Sequence, residues 1–259
     1  MVAKNAGRPK VYAVVNAKGG VGKTTTARET GIEDAKAGAR VLLVDLDPIA
    51  NLSKTLRADT EGLAGIGHLL VGEVDELEDA VQSVEVDGVA LDVCVGGAVL
   101  EAAKNALVSQ PDGAFALKDL LGACEGYDTV YIDTPGDLNI LTVNALVAAD
   151  EVVIPVLPEE EARLALPGVV DGIRRVQKRM NPALAVAGIL ICRQPTTGAG
   201  DPKAEAERIE GYATAIGERV FSTRIRTSHA KDQRRNLKLI DYARFAEELL
   251  GAEGEGDAG

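Results

Sequence analysis

Residues 17–25 read Ala-Lys-Gly-Gly-Val-Gly-Lys-Thr-Thr, and they constrain the fold of this chain more than any other segment. The apolar, β-branched run Val11–Asn16 precedes them, and a helix-forming stretch, Thr24–Lys36, follows. Glycines have no Cβ, so successive backbone N–H groups can converge on an anion, and a helix that begins there adds the positive end of its dipole. The segment is therefore predicted to be a strand–loop–helix unit that binds phosphate groups.

Short apolar runs alternate with longer helical patterns along the chain, which is typical of a parallel sheet in an α/β protein. Further strands are predicted at Arg40–Asp45, Ala90–Val95, Thr129–Asp133, Val152–Val156 and Val186–Ile191. Helices are predicted at Val99–Val108, Ala114–Cys124, Leu138–Ala148, Val169–Met180, Pro202–Ile216 and Tyr242–Leu250. Pro167 and the pair Asn181-Pro182 are expected to bracket the helix Val169–Met180 at its two ends.

The loop fits the phosphate-loop pattern G-x-x-x-x-G-K-[ST], with Ala17 in place of the first glycine. Lys23 is expected to reach the β and γ phosphates of ATP, Thr24 to bind Mg²⁺ through its hydroxyl, and Thr25 to contact the α-phosphate. Lys18 is a second lysine, which an ordinary phosphate loop does not need. The predicted nucleotide-binding residues are Lys18, Gly19, Gly20, Val21, Gly22, Lys23, Thr24 and Thr25.

Aspartates lie at the carboxyl ends of two of the predicted strands. Asp45 and Asp47 follow the second strand, and alternation places both on the same side of an extended segment. Asp133 ends the apolar run Val130–Ile132, which is the Walker B pattern for a carboxylate that holds Mg²⁺. The expected fold class is therefore α/β, a three-layer P-loop NTPase fold with a mostly parallel, doubly wound sheet. One domain, residues 11–250, is expected between a flexible basic N-terminus (1–10) and a flexible acidic tail (251–259).

These motifs together resemble those of the ParA/MinD family, the ATPases with a deviant Walker A loop, and the resemblance extends over residues 11–192. Lys18 stands at the position of the family's signature lysine, which implies that it reaches across a dimer to the nucleotide of the other subunit. The resemblance also implies that Asp45 lies near the metal and that Asp47 orients or deprotonates the attacking water. Ile49 and Ala50 depart from the family pattern D-L-D-P-Q-G-N, which has glutamine and glycine there.

Charge is distributed unevenly along the chain. The total is −12, with 28 Lys and Arg against 40 Asp and Glu, which alone argues against an acidic partner such as DNA. The segment Asp59–Asp92 contains no Lys or Arg, whereas Arg219–Arg244 is rich in them. That basic segment predicts binding to DNA phosphates without sequence preference, and a solvated helix face is the alternative. The candidate DNA-binding residues are Arg224, Arg226, Lys231, Arg234, Arg235 and Lys238, with Arg174, Arg175, Lys178 and Arg179 as a possible extension.

Other branches of the family lack support in the sequence. A membrane-binding member ends in a basic amphipathic helix, but this chain ends in an acidic glycine tail. Iron–sulfur members need bridging cysteines, whereas Cys94, Cys124 and Cys192 each lie among apolar residues and are expected to be buried, reduced thiols. No run approaches the ~18 apolar residues of a membrane span.

The sequence thus predicts a cytoplasmic, nucleoid-associated partition ATPase resembling the short, Soj-like ParA proteins. It would form a homodimer on ATP, bind nonspecific DNA and respond to a ParB-like, centromere-binding partner. The alternative is a nucleotide-switched scaffold that positions a protein cargo without binding DNA. Arg193 and Thr223 are guesses for the pocket of the base.

Overall fold

A computed structural model of the chain describes residues 8–61, 64–193, 202–227 and 233–251, without the side chains of 233–237. Seven strands form one sheet in the order β3-β4-β2-β5-β1-β6-β7, and all are parallel except β3. The strands are Lys10–Val14 (β1), Val41–Asp45 (β2), Val81–Val86 (β3), Val89–Cys94 (β4), Thr129–Asp133 (β5), Glu151–Val156 (β6) and Ala185–Ile191 (β7).

Helices connect the strands in the described residues, together with a 3₁₀ turn at Leu77–Ala80. They are Lys23–Lys36 (α1), Asn51–Thr55 (α2), Ile66–Val71 (α3), Val99–Ser109 (α4), Ala116–Gly122 (α5), Ile140–Ala148 (α6), Glu160–Arg179 (α7), Pro202–Ile216 (α8) and Gln233–Gly251 (α9). No helix in the described part of the chain is both long enough and apolar enough to span a membrane.

Two apolar clusters cover the two faces of the sheet. In β1, Val11 and Ala13 belong to one cluster, and Tyr12 and Val14 belong to the other, because successive side chains of a strand point to opposite faces. The first cluster packs against α3 to α8, and the second against α1, α2 and α9. The three-layer α/β architecture predicted from the sequence is confirmed.

The register of the central strands brings the motif residues to one edge. Asp45 at the end of β2 lies beside Asp133 at the end of β5, and Asp133 lies beside Val14 at the end of β1. The loop 15–22 leaves β1 at the same edge, where parallel α/β sheets bind their ligands. Motifs far apart in the sequence therefore meet at the carboxyl ends of three adjacent strands.

The prediction for the helix at 169–180 was wrong at its start. The helix, α7, begins at Glu160, and Pro167 lies inside it instead of before it. Pro167 is exposed, so water can reach the Arg163 carbonyl that loses its helical donor. Ala162 and Leu166 are buried and extend the apolar stripe, which stabilises the added turns.

Other elements also differ from the prediction, and the short helices α2 and α3 were not predicted. The last helix, α9, begins at Gln233 and not at Tyr242. The strand β3 was not predicted; it pairs antiparallel with β4 through a tight turn at Asp87 and Gly88, whose φ angles are 50° and 82°. Both values lie in the left-handed region that this type of hairpin turn requires.

Candidate active site

The phosphate loop depends on its glycines for both conformation and space. Gly20 and Gly22 have φ angles of 74° and 109°, which side chains rarely tolerate. A Cβ on Gly19 or Gly20 would meet no described atom within 4 Å, so both glycines border open space. A Cβ on Gly22 would lie 3.4 Å from the Sγ of Cys192. The loop therefore presents bare backbone to the edge of the sheet, and α1 begins directly after it.

Lys23 points back into its own loop. Its ammonium donates a hydrogen bond to the carbonyl oxygen of Lys18 at 3.1 Å, and the residue is 8% exposed. Burial lowers the pKa of Lys23, while the negative charges of Asp133, Asp47 and Asp137 act in the opposite direction. A cation inside a loop of backbone N–H groups is suited to bind the outer phosphates of a nucleotide.

Lys18 points away from the loop, although it belongs to the same motif. Its ammonium lies 3.0 Å from a carboxylate oxygen of Glu161 and 3.3 Å from one of Glu159, at the start of α7. The backbone N–H of Lys18 donates to the side-chain oxygen of Asn16, which fixes the peptide while the side chain turns outward. The two lysines of the motif thus occupy different surroundings.

Asp133 is a buried carboxylate without a hydrogen-bond partner. It is fully buried, and neither side-chain oxygen is hydrogen-bonded to a described residue. Burial raises its pKa to about 8, aided by the charge of Asp45, while the charge of Lys23 and the Thr24 hydroxyl, which approaches as a donor without reaching hydrogen-bond geometry, oppose the rise. Buried polar atoms in proteins are nearly always paired. Asp133 is therefore placed to receive a cation.

Asp45 lies next to Asp133 but is bonded within its own chain. One oxygen accepts the backbone N–H and the hydroxyl of Ser53 at 2.8 and 2.7 Å, and the other accepts the Asp47 N–H at 3.1 Å. Burial raises its pKa to about 6 despite these bonds. Of the two carboxylates assigned to the metal from the sequence, only Asp133 has both oxygens unpaired.

Asp47 stands on the loop after β2 and is half-buried. Its carboxylate accepts the N–H of Ile49 at 2.9 Å, and its carbonyl accepts the N–H of Ala50 at 2.8 Å. Ala50 has a φ of 57°, a left-handed conformation that costs little only for glycine. The departure from the family's glycine thus falls at a position whose backbone favours glycine.

A cavity of about 330 Å³ opens behind the first turn of α1. Thr25 and Arg193 contribute to its wall, so the sequence-based guess for Arg193 is consistent with a base pocket. Thr223 does not belong to the described wall; its N–H donates to Glu248. The other polar members of the wall are Arg226, Thr227, Lys238 and Tyr242. Arg226 and Lys238 were assigned to DNA from the sequence, and Thr227 and Tyr242 were not singled out.

A profile of AAA domains matches residues 9–186. The chromosome partitioning protein ParA of Caulobacter vibrioides is 31% identical over 96% of this chain and 97% of its own length. The chromosome-partitioning ATPase Soj of Thermus thermophilus is 37% identical, over 92% and 86%. The chain belongs to the ParA/MinD family of P-loop ATPases. The resemblance inferred from its motifs, and with it the ATPase activity, is confirmed.

A solved structure agrees with this fold. Cobyrinic acid a,c-diamide synthase from Mycobacterium smegmatis, determined with bound ADP and magnesium, superposes with a TM-score of 0.84 at 30% identity. The alignment covers 96% of both chains. The match extends beyond the phosphate loop to both helical layers.

As an ATPase of this family, the chain uses ATP and Mg²⁺, and its residues fit both. The open space beside Gly19 and Gly20 leaves room for phosphate groups, and Asp133 offers two unpaired oxygens for a cation. No group of three or more His, Cys, Asp or Glu side chains in the described residues is arranged to hold a metal alone. Mg²⁺ usually takes one or two carboxylates together with substrate phosphates.

Two candidate DNA-binding arginines of the segment after β7, Arg224 and Arg226, are engaged in ion pairs. Arg226 binds Asp241 through two of its nitrogens, at 2.6 and 2.9 Å, and Arg224 pairs with Glu210. Lys238 lies in the wall of the cavity behind α1. Lys231 and the side chains of Arg234 and Arg235 lie outside the described residues.

The second candidate set lies on α7. Arg175, Lys178 and Arg179 are exposed near the end of α7 and form no ion pair with a described residue, whereas Arg174 pairs with Glu218 at 3.2 Å. Helix α7 packs on the opposite face of the sheet from α9. The two sets nevertheless approach each other at one point, because Glu218, the partner of Arg174, and Glu210, the partner of Arg224, line the same cavity.

Proposed function

We propose that this protein is a partition ATPase whose ATP-bound homodimer binds DNA without sequence preference. In this proposal a ParB-like, centromere-binding partner stimulates hydrolysis in the cytoplasm and thereby releases the dimer from the nucleoid. The main support for the proposal is that the two loop lysines point in different directions. Lys23 lies within its own loop, and Lys18 faces outward. The relatives named for chromosome partitioning, which align with nearly the whole chain, support the same function.

Each residue of the site has a distinct role in this proposal. The loop backbone and Lys23 bind the phosphates, while Thr24 and Asp133 hold Mg²⁺, which neutralises charge on the phosphoryl oxygens. Asp47, on the loop beside them, orients the attacking water or accepts its proton. Lys18 supplies a cation to the nucleotide of the second subunit, where charge develops during transfer.

Sedimentation velocity of variants with ATP and Mg²⁺ tests the dimer. Lys18→Ala should lose the ATP-dependent dimer and slow hydrolysis, because the cation supplied across the interface is gone. Asp47→Ala should keep ATP binding and the dimer but hydrolyse slowly. Lys36→Ala, at the far end of α1, is the matched control and should resemble wild type. An unchanged ATP dimer of Lys18→Ala would remove Lys18 from the interface.

Fluorescence anisotropy with a random-sequence duplex tests the DNA partner. Wild type should bind with ATP but not with ADP, and binding should weaken between about 50 and 200 mM salt. Arg234→Ala/Arg235→Ala should reduce the slope of log affinity against log salt by about 2 per protomer if both arginines contact phosphates. The triple alanine variant of Arg175, Lys178 and Arg179 measures the alternative surface on α7.

The competing function is a nucleotide-switched scaffold that does not bind DNA. The ion pairs of Arg224 and Arg226 favour it, because these pairs already neutralise part of the basic segment. Absence of ATP-dependent DNA binding at both salt concentrations, in a protein that still dimerises with ATP, would support the scaffold and reject DNA partition.

A further inference from the structure

Asp45 accepts three hydrogen bonds from residues near it in the chain, two from backbone N–H groups and one from the Ser53 hydroxyl. A carboxylate offers about four lone-pair sites, and here three are taken by Ser53 and Asp47. Asp45 and Ser53 are both fully buried. Such a carboxylate fixes the conformation of the chain around it, because each bond is strengthened by its charge and protected from water.

Ser53 is itself oriented by the backbone that follows β4. Its Oγ accepts the backbone N–H of Gly96, just after β4, at 3.1 Å. Because the oxygen is occupied as an acceptor by Gly96, the hydroxyl proton is directed to Asp45. A series of hydrogen bonds thus runs from Gly96 through Ser53 and Asp45 to Asp47. It links the ends of β4 and β2 to the loop after β2.

Gly96 is required here for space. A Cβ at this position would lie 2.7 Å from the carbonyl oxygen of Asp45 and 2.8 Å from that of Asp47. It would also lie 2.9 Å from the carboxylate carbon of Asp45. The backbone after β4 therefore presses directly on the backbone that carries Asp45 and Asp47.

We propose that Ser53 and Gly96 are positioning residues of the ATPase site, and that Asp45 acts through Asp47 instead of binding the metal. Asp45 accepts a hydrogen bond from the Asp47 N–H, and Ser53 donates two to Asp45. Gly96 allows the backbone after β4 to approach the backbone of Asp45 and Asp47 closely. Asp133, with its unpaired oxygens, is the carboxylate that remains for Mg²⁺. The inference rests on the role proposed above for Asp47.

Ser53→Ala tests the positioning role by separating turnover from binding. The variant leaves the Gly96 N–H without its acceptor and removes one bond to Asp45, so kcat should fall about tenfold or more. Affinity for a non-hydrolysable ATP analogue, measured by calorimetry, should stay within about twofold of wild type, because the phosphate loop is untouched. Ser53→Thr keeps the hydroxyl and should recover most of the rate. Thr55→Ala, which removes a hydroxyl from the same short helix without touching Asp45, is the matched control.

A Mg²⁺ titration of analogue binding tests the assignment of Asp45 without using turnover. Asp45→Asn should leave the Mg²⁺ concentration for half-maximal binding within about twofold of wild type, whereas Asp133→Asn should raise it about tenfold or more. Equal shifts in the two variants would make Asp45 a metal ligand and overturn the inference.

Asp47→Ala, measured alongside, separates the two possible failures. If Asp47→Ala hydrolyses at the wild-type rate, the proposed role of Asp47 fails. If Asp47→Ala is slow while a correctly folded Ser53→Ala, checked by circular dichroism, is not, the positioning role of Ser53 fails alone. Should Ser53→Ala not fold, Asp45→Asn in the Mg²⁺ titration still decides the role of Asp45.

Discussion

The ammonium of Lys18 lies 3.0 Å from a carboxylate oxygen of Glu161, so the outward-facing lysine of the phosphate loop is bound within its own chain. The hydrogen bond to Glu161 is the main cause of the raised pKa of Lys18, and Glu159 adds to it. A lysine that reaches a second subunit must first leave these carboxylates. The start of α7 therefore competes with the proposed ATP dimer for the same cation.

Glu161→Gln should strengthen the ATP dimer modestly. The gain should be at most about fivefold per subunit, or about 25-fold in the dissociation constant of a dimer that frees two such pairs, because an exposed ion pair contributes about 0.2–1 kcal/mol. Sedimentation velocity with a non-hydrolysable ATP analogue measures it. Glu160→Gln is the matched control, since Glu160 contacts Arg163 and not Lys18. A weaker dimer of Glu161→Gln would show instead that Glu161 supports the interface.

Asp133→Asn should stabilise the nucleotide-free protein while abolishing Mg²⁺-dependent hydrolysis. The change removes a buried, unpaired carboxylate, so the free energy of unfolding should rise by about 1–3 kcal/mol near pH 8. Urea denaturation with and without MgATP measures the effect. If the variant without ligand is less stable than wild type, the buried carboxylate of Asp133 does not destabilise the folded protein.

The same comparison has a defined pH dependence. The pKa of Asp133 is raised from 3.8 to about 8, so the folded state binds this proton more tightly than the unfolded state. The resulting stabilisation is complete below the unfolded pKa and is lost as pH rises through about 8. The stability advantage of Asp133→Asn should therefore grow as the pH rises from about 4 to about 8, and should level off above about pH 8. A constant difference across this range would contradict the raised pKa.

Ala50→Gly should stabilise the protein by about 1 kcal/mol, because Ala50 occupies a left-handed conformation that glycine adopts without strain. Thermal and urea unfolding measure the change. Ala102→Gly is the matched control: Ala102 is exposed inside the helix α4, and its replacement should cost about 1 kcal/mol. Equal losses in both variants would mean that the loop does not hold Ala50 in this conformation.

Asp241→Ala should loosen the attachment of α9. The Asp241 carboxylate is buried and accepts bonds from the backbone N–H and the guanidinium of Arg226. Its removal should lower the free energy of unfolding by about 2 kcal/mol, since Arg226 is partly exposed and regains some hydration. Hydrogen exchange of α9 should increase. Glu247→Ala, an exposed change on the same helix, should stay within about 0.5 kcal/mol of wild type.

The phosphate loop and Asp133 could be predicted because each follows a strand that is buried on both faces. Such strands read as continuous apolar runs, as in Thr129–Asp133, and the parallel order of the sheet brings their ends together. The strand β3 gave a weaker signal, since its side chains are partly exposed. The pair Asp87-Gly88, a strong hairpin signal, would have revealed it.

The roles of Ser53 and Gly96 could not be predicted from the sequence. Their hydrogen bond joins residues separated by 43 positions, and no local pattern distinguishes this serine from one that caps a helix. Asp45 was assigned to the metal because its position matches a motif. Only the packing around it shows that its oxygens are already occupied.

The packing of α1 against α9 has a consequence for the proposed response to ATP. The Thr26 hydroxyl, in the first turn after the phosphate loop, lies 3.3 Å from the Tyr242 hydroxyl of α9, and both residues are buried. Because the two helices share one apolar cluster, a change of angle between them would open the core. ATP would then control DNA binding by fixing the distance between two rigid copies of α9. The spacing of the DNA phosphates that the two copies of α9 contact would then be set by the dimer interface.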